Sequence, residues 1–302
     1  MDQKKKQFEF PEDFIKSPIE NLSVLKIIES INLIDEQIAS SFISALEKHA
    51  NLSAMDLNFH QNENQHSQEG LKRLGSVLAK CPLLSTLEIN YYGDNIGNIG
   101  ASCLKSSFAN CPNLLNFTLK LSENKISDEG VLDLSLALTQ LKKLQFLELW
   151  LSINQINDKG AQDIGEALTQ LPNLSTLKLY LRYNQICDQG SSSLGKSLAA
   201  CSKLKNLDLW VSENQIGYQG LSALCGALST KTNLSNLELH FNANQIEQED
   251  LKNLTQDLSA FIHLKILNFG FSGQQFTMQS KKNLKQKLLK LKRLVAKNIN
   301  IY

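Results

Sequence analysis

A single motif returns every 30 residues along most of this chain. Leu114, Phe117, Leu119, Leu121, Asn124, Ile126, Asp128 and Gly130 recur as Leu144, Leu147, Leu149, Leu151, Asn154, Ile156, Asp158 and Gly160. They recur again as Leu174, Leu177, Leu179, Leu181, Asn184, Ile186, Asp188 and Gly190. A fixed period of 20 to 50 residues marks a solenoid of stacked structural units. Copies on Leu204, Leu234 and Leu264 extend the register forward, with Asp250 where glycine is expected. Leu84, Leu87, Ile89, Asp94 and Gly100 extend it backward, as do Ala54, Leu57, Phe59, Asn64 and Gly70 more loosely. That makes eight copies.

Each copy holds two periodicities. Leu177, Leu179 and Leu181 alternate with period two, the pattern of a strand with one buried face. Leu194, Leu198 and Cys201 then fall at helical spacing, as do Ile164, Ala167, Leu168 and Leu171. The expected fold is therefore α/β, a solenoid with a parallel sheet on its concave side and helices on its convex side. Neighbouring units must complete one another's cores. The asparagine column is expected to satisfy backbone groups where the chain leaves each strand, because an amide both donates and accepts. Asp128, Asp158 and Asp188 stand where a helix N-cap is wanted. The glycine column suits close packing between successive units.

On these residues the chain resembles the leucine-rich-repeat family over about residues 50 to 275. It is most similar to the ribonuclease-inhibitor-like subfamily, whose units carry a full convex helix. The family core is Leu-x-x-Leu-x-Leu-x-x-Asn; here an extra Leu-x pair precedes the asparagine, as in Leu174 to Asn184. That pair is expected to lengthen each strand by two residues. The expected organisation is a degenerate capping segment over 1–50, eight repeats over 51–275 and a basic capping helix and tail over 276–302. The resemblance implies fold rather than activity.

Catalytic and metal-binding patterns are missing from the sequence. The glycines come singly, once per repeat, so no phosphate loop is formed. His49, His60, His66, His240 and His263 match no ligand motif, and no G-x-S-x-G elbow occurs. No enzyme activity, metal or cofactor is expected. Cys81, Cys111 and Cys201 share one column with Leu141, Leu171 and Phe261, so they belong to the core. Free buried thiols fit a reducing compartment, which points to the cytoplasm. No apolar run approaches a membrane span, and MDQKKKQFEFPEDF lacks the apolar core of a secretory signal.

Alternation also assigns the outward residues. One column holds Glu88, Thr118, Glu148, Lys178, Asp208 and Glu238; the next holds Asn90, Lys120, Trp150, Tyr180, Trp210, His240 and Gly270. A third holds Tyr92, Ser122, Ser152, Arg182, Ser212 and Asn242. At a strand spacing of about 4.8 Å, Trp150, Tyr180, Trp210 and His240 form a ladder roughly 14 Å long. Exposed Trp and Tyr are common binding anchors; such rings also stabilise sheets with no ligand at all. Glu148, Asp208 and Glu238 beside the ladder favour a partner with basic groups, and Arg182 offers one contact for a carboxylate or carbonyl. Nucleic acid is not the expected partner, because aromatic rows that stack bases normally lie in basic grooves.

Net charge is +1, yet residues 272–302 carry seven Lys and Arg293 with no acid, leaving −7 on the rest. Leu284, Leu288, Leu291 and Leu294 continue the helix columns, with Lys281, Lys282, Lys285 and Arg293 on the other side. A terminal unit needs a polar outer face; the same charges could provide a second contact on an acidic surface, including peripheral contact with a membrane. The expected function is a non-catalytic scaffold that holds a protein partner on the concave sheet, with no small-molecule substrate. Two alternatives stand beside it. The chain could be a structural component of a cytoskeletal or ciliary assembly, since it is similar to Asn-, Gln- and Lys-rich long-strand solenoids of ciliate protists. It could instead regulate a small GTPase, as some related repeat proteins do, although those usually carry an acidic tail.

Overall fold

The computed structural model describes residues 5–29, 31, 35–49, 51–59, 67–271, 276–289 and 296–301. The chain divides into two compact units, Met1–Trp150 and Leu151–Tyr302. Strand and helix alternate strictly in both.

The first unit runs β1 (Lys5–Phe8), α1 (Pro11–Ile15), β2 (Val24–Ile27), α2 (Glu36–Leu46), β3 (Ala54–Asn58), α3 (Ser67–Ala79), β4 (Thr86–Asn90), α4 (Gly97–Phe108), β5 (Asn116–Lys120), α5 (Asp128–Leu138) and β6 (Phe146–Trp150). Its strands pair in parallel and in chain order. The second unit runs α6 (Asp158–Thr169), β7 (Thr176–Tyr180), α7 (Asp188–Ala200), β8 (Asn206–Trp210), α8 (Tyr218–Ser229), β9 (Asn236–His240), α9 (Leu251–Ser259), β10 (Ile266–Phe271), α10 (Met278–Leu289) and β11 (Ala296–Ile301). Its strands also pair in parallel and in order. This is the α/β repeat solenoid expected from the alternating periodicities.

Among the described strand pairs from β2 onward, the register follows the sequence period with one exception. Leu177 pairs with Leu207 and Leu209 with Leu239, each 30 residues on. Between β3 and β4 the step is 32: Met55 pairs with Leu87 and Leu57 with Ile89. The sequence alignment of Leu57 with Leu87 is therefore two residues out. Because two is the period of a strand, the slip leaves the same face buried and is silent in the hydrophobic pattern. The fold also adds β1 and β2 before the first repeat and β11 after the basic helix, regions where the leucine pattern is weak.

The extra Leu-x pair does not lengthen the strands as expected. From β4 to β9 each strand is five residues and stops just before the added apolar residue; β10 runs one residue further, to Phe271. Leu121 and Leu181 are fully buried, and their N–H groups still donate to Trp150 and Trp210 carbonyls. Two residues later the backbone turns left-handed, with φ of 61° at Glu123, 53° at Tyr183 and 56° at Glu213. This conformation disfavours side chains other than glycine's; at Tyr183 and Glu213 it is held by N–H donation to Ser212 and Asn242 carbonyls. Past the strand, strict alternation ends. Hence Ser122 and Ser212 are buried, although the sequence placed their column on the open face.

Asparagines stitch successive units together. The Asn184 amide donates to the carbonyls of Leu151, Leu181 and Arg182 and accepts from Ile156 N–H. Asn124 does the same for Tyr91, Ser122 and Ile96, and Asn214 for Leu181, Val211, Ser212 and Ile186. A buried amide fully paired in this way removes a desolvation cost of about 1–3 kcal/mol per group.

The aspartates act differently from the N-cap expectation. Asp158 and Asp188 are the first residues of α6 and α7, and each serves the following helix. Asp158 accepts from the N–H groups of Cys187 and Gly190; Asp188 accepts from Gly217 N–H. A carboxylate there also complements the positive end of the next helix. The glycine column exists to admit this acid: a Cβ on Gly220 would lie 2.6 Å from Asp188 Oδ1 and 2.7 Å from its Cα. Where Tyr218 replaces the aspartate, Asp250 replaces the next glycine. Tyr218 instead donates its hydroxyl to Asp257, and Asp250 accepts from Glu247 N–H.

The cysteine column is core, as the sequence implied: Cys81, Cys111 and Cys201 are buried, and burial pushes their thiols up to about 12, 12 and 11. The next position in that column is Lys231, also buried. Its ammonium donates to the carbonyls of Ala199 and Cys201 at the end of α7, a favourable place for a cation.

Candidate functional site

The open face of β7 to β10 carries the residues singled out by the alternation. Each strand there shows the same burial rhythm, leucines inward and intervening side chains half-buried. Adjacent strands in exact register bring Tyr180 beside Trp210 and Trp210 beside His240. Tyr180 and Trp210 ring centres are 5.7 Å apart and tilted by 45°. Trp210 and His240 stack at 3.7 Å and 22°. The imidazole lies against the next strand, where a Cβ on Gly270 would come within 2.7 Å of Nδ1. Glycine inside a strand marks such a close approach. Arg182 holds its guanidinium 5.7 Å from the Trp210 ring and 5.4 Å from the Tyr183 ring.

Trp210 and His240 each turn to the acid two residues before them on their own strands. Trp210 Nε1 donates to Asp208 at 2.6 Å, and His240 Nε2 lies 2.7 Å from Glu238. Tyr180 adds a longer hydroxyl bond, 3.3 Å, to the other Asp208 oxygen, and Asn268 donates to the second Glu238 oxygen. Burial raises the Asp208 carboxyl above its ordinary value, with the Glu238 charge adding to the effect and the aromatic hydrogen bonds opposing it. Trp150 repeats the pairing at the end of the first unit, its Nε1 3.0 Å from Glu148.

A recess of about 270 Å³ opens beside the acids, walled by Thr176, Lys178, Asn206, Asn236 and Asn268 as well as Asp208 and Glu238. Thr176, Asn206 and Asn236 form a fourth outward column overlooked in the sequence. Asn206 donates to the Thr176 hydroxyl and Asn236 to the Asn206 oxygen. The same alternation, read two residues earlier, would have found it.

The structure thus joins Tyr180, Trp210, His240, Asp208, Glu238 and Arg182 in one cluster of the second unit. Trp150 and Glu148 form their pair on β6. Of the basic second contact, Lys281, Lys282 and Lys285 lie on α10, with Lys282 and Lys285 exposed and Lys281 half-buried. Arg293 falls outside the described residues. Among the described residues no helix is long and apolar enough to cross a membrane.

One comparison with known proteins agrees with this architecture. A family model described as "Leucine Rich repeat" matches residues 116–135 and 200–225. No curated protein matches the chain. Among solved structures, one titled "Leiomodin-1 Actin-Binding Site 2 (ABS2)" is 14% identical, covering 44% of this chain and 73% of that one, with a TM-score of 0.34. With its repeating leucine, asparagine and glycine columns, its strictly alternating parallel strands and helices, and two matched segments, the chain has the fold of a leucine-rich-repeat solenoid.

Proposed function

We propose that this protein is a non-catalytic scaffold that holds a protein partner on the open face of its sheet. The observation that carries this proposal is the Tyr180–Trp210–His240 row, half-buried and bordered by Asp208 and Glu238. Tyr and Trp supply contact area at low conformational cost and are over-represented among residues that dominate binding. The adjoining carboxylates favour basic side chains in the partner. Trp150 with Glu148 contributes a second aromatic–acid pair, and the exposed lysines of α10 a further contact. The resemblance to leucine-rich-repeat proteins, an interaction fold, points the same way.

A photocrosslinking residue at Asn242, beside the row, tests the proposal against one at Leu132, which is exposed on α5. The Asn242 probe should capture a protein from source cells that excess unlabelled chain displaces. Tyr180→Ala with Trp210→Ala should weaken that capture at least about thirtyfold, the usual scale of a binding hot spot of 2 kcal/mol or more. Circular dichroism would confirm that the variant remains folded. Capture from Leu132 alone, or capture unchanged in the variant, would leave the aromatic row with a purely structural role.

A further inference from the structure

We propose that Asp208, Glu238 and His240 form a binding site for one divalent ion of the zinc type. A carboxylate oxygen from each acid and an imidazole nitrogen lie within 4.8 Å of one another. Zinc bonds of about 2.0–2.2 Å place neighbouring donor atoms roughly 3–3.5 Å apart, so the three groups need only a small contraction. The His240–Glu238 distance of 2.7 Å would open by about half an ångström as the metal replaced that hydrogen bond.

The backbone supports this arrangement. Asp208 pairs with Glu238 and Trp210 with His240 in the ladder, so the ligand positions are set by strand register rather than by a loop. Outer groups fix the donors: the Trp210 indole holds one Asp208 oxygen, and the Asn268 amide holds one Glu238 oxygen. The imidazole is confined between the Trp210 ring and the Gly270 backbone. Outer contacts of this kind orient metal ligands and typically change affinity 10- to 100-fold. An imidazole with two carboxylates suits zinc, cobalt or nickel better than magnesium or calcium, which prefer oxygen alone. Three protein ligands leave a fourth position, where water or a partner's donor group can bind. The competing cation is Lys178, which pairs with Asp208 in strand register and lines the same recess.

The test uses the untagged 302-residue chain and no protein partner, so its result is separate from that of the scaffold proposal. Calorimetric titration with Zn²⁺ in metal-free buffer should show one saturating site. Asp208→Asn and His240→Gln should each weaken it by at least about tenfold, the lower limit for disturbing even an outer group. Lys178→Met should tighten it. Titration with Co²⁺ should shift the His240 ring protons paramagnetically in the wild type. Absence of saturable binding would overturn the proposal and leave the cluster as an internal hydrogen-bond network. Binding that survives His240→Gln unchanged would equally overturn it, by locating the metal elsewhere. Circular dichroism on each variant separates a lost ligand from a lost fold.

Discussion

The open faces of β2 to β5, in the first unit, and of β8 and β9, in the second, are built on the same alternation but settle their carboxylates in different ways. On β2 to β5 the acids meet lysines: Lys26 lies 2.5 Å from Asp56, and Lys120 pairs with Glu88. Between them, Asn90 donates to Asn58. On β8 and β9 the acids meet an indole, a phenol and an imidazole instead. A lysine cancels charge, whereas an indole N–H only solvates it. The second face therefore covers its carboxylates with flat rings. The inward leucines make the fold; the outward alternate positions are free to differ, and their difference separates a lysine-paired face from one lined by aromatic rings.

The sharpest way to test that separation is to strike what the units share. Asn124→Leu and Asn184→Leu should each lower stability by about 2–4 kcal/mol, since several buried backbone groups lose partners at once. Similar losses in urea unfolding would place the difference between the units on the open face alone; a large disparity would move it into the spine. Next in size is Gly270→Val. Its side chain would enter the space of the His240 ring, and the expected cost is about 1–3 kcal/mol, as for an overpacked site. Loss of the histidine–tryptophan stack in ring-proton NMR shifts, with little change in the strand signal, would identify the cause.

Asp208→Asn should have a smaller effect of opposite sign. The folded state holds the Asp208 proton to higher pH than the ordinary value of 3.8. That contribution is complete below 3.8 and is lost as pH rises through the raised value. At neutral pH the charged carboxylate is therefore a burden, and the amide should stabilise the fold. Screening at this half-exposed position keeps the gain below about 1 kcal/mol. Urea midpoints at pH 4 and pH 7 would show the variant's advantage only at the higher pH; an advantage at both would point to a cause other than charge. The smallest effect belongs to the first unit: Lys120→Met should cost about 0.2–1 kcal/mol, shrinking in high salt, as exposed ion pairs do.

Much of this was legible beforehand because the repeat supplies many copies of the same evidence. The 30-residue period predicted strand, turn and helix, and alternation put Tyr180, Trp210 and His240 side by side. Where copies are few or the physics is not periodic, the sequence misled or fell silent. The two-residue slip at Met55 preserves the buried face, so hydrophobicity could not reveal it. The burial of Ser122 and Ser212 depends on a left-handed residue beyond the strand, and Glu123, Tyr183 and Glu213 share no chemistry that would announce one. The service of Asp188 to the next helix is tertiary, invisible to capping rules that look only within one segment. Lys231 was in plain view, 30 residues after Cys201, but an ammonium in a leucine column makes sense only once the α7 carbonyls are in place.

The fit between each aspartate and the glycine 32 residues later makes the repeats directional parts. Unequal recombination can duplicate a unit like the one that begins at Asp188, because it carries both an acid for its successor and a notch at Gly190 for its predecessor. The unit that begins at Tyr218 carries the notch but not the acid, and the one after it carries neither the need nor the room. Transplanted behind Asp188, the Asp250 segment would drive its Cβ into that aspartate's backbone, whereas an internal unit placed behind Tyr218 would merely forgo a hydrogen bond. Growth of the array by duplication of the Asp188 unit is thus permitted just upstream of Tyr218 and impeded beyond it, a punctuation mark written in two side chains.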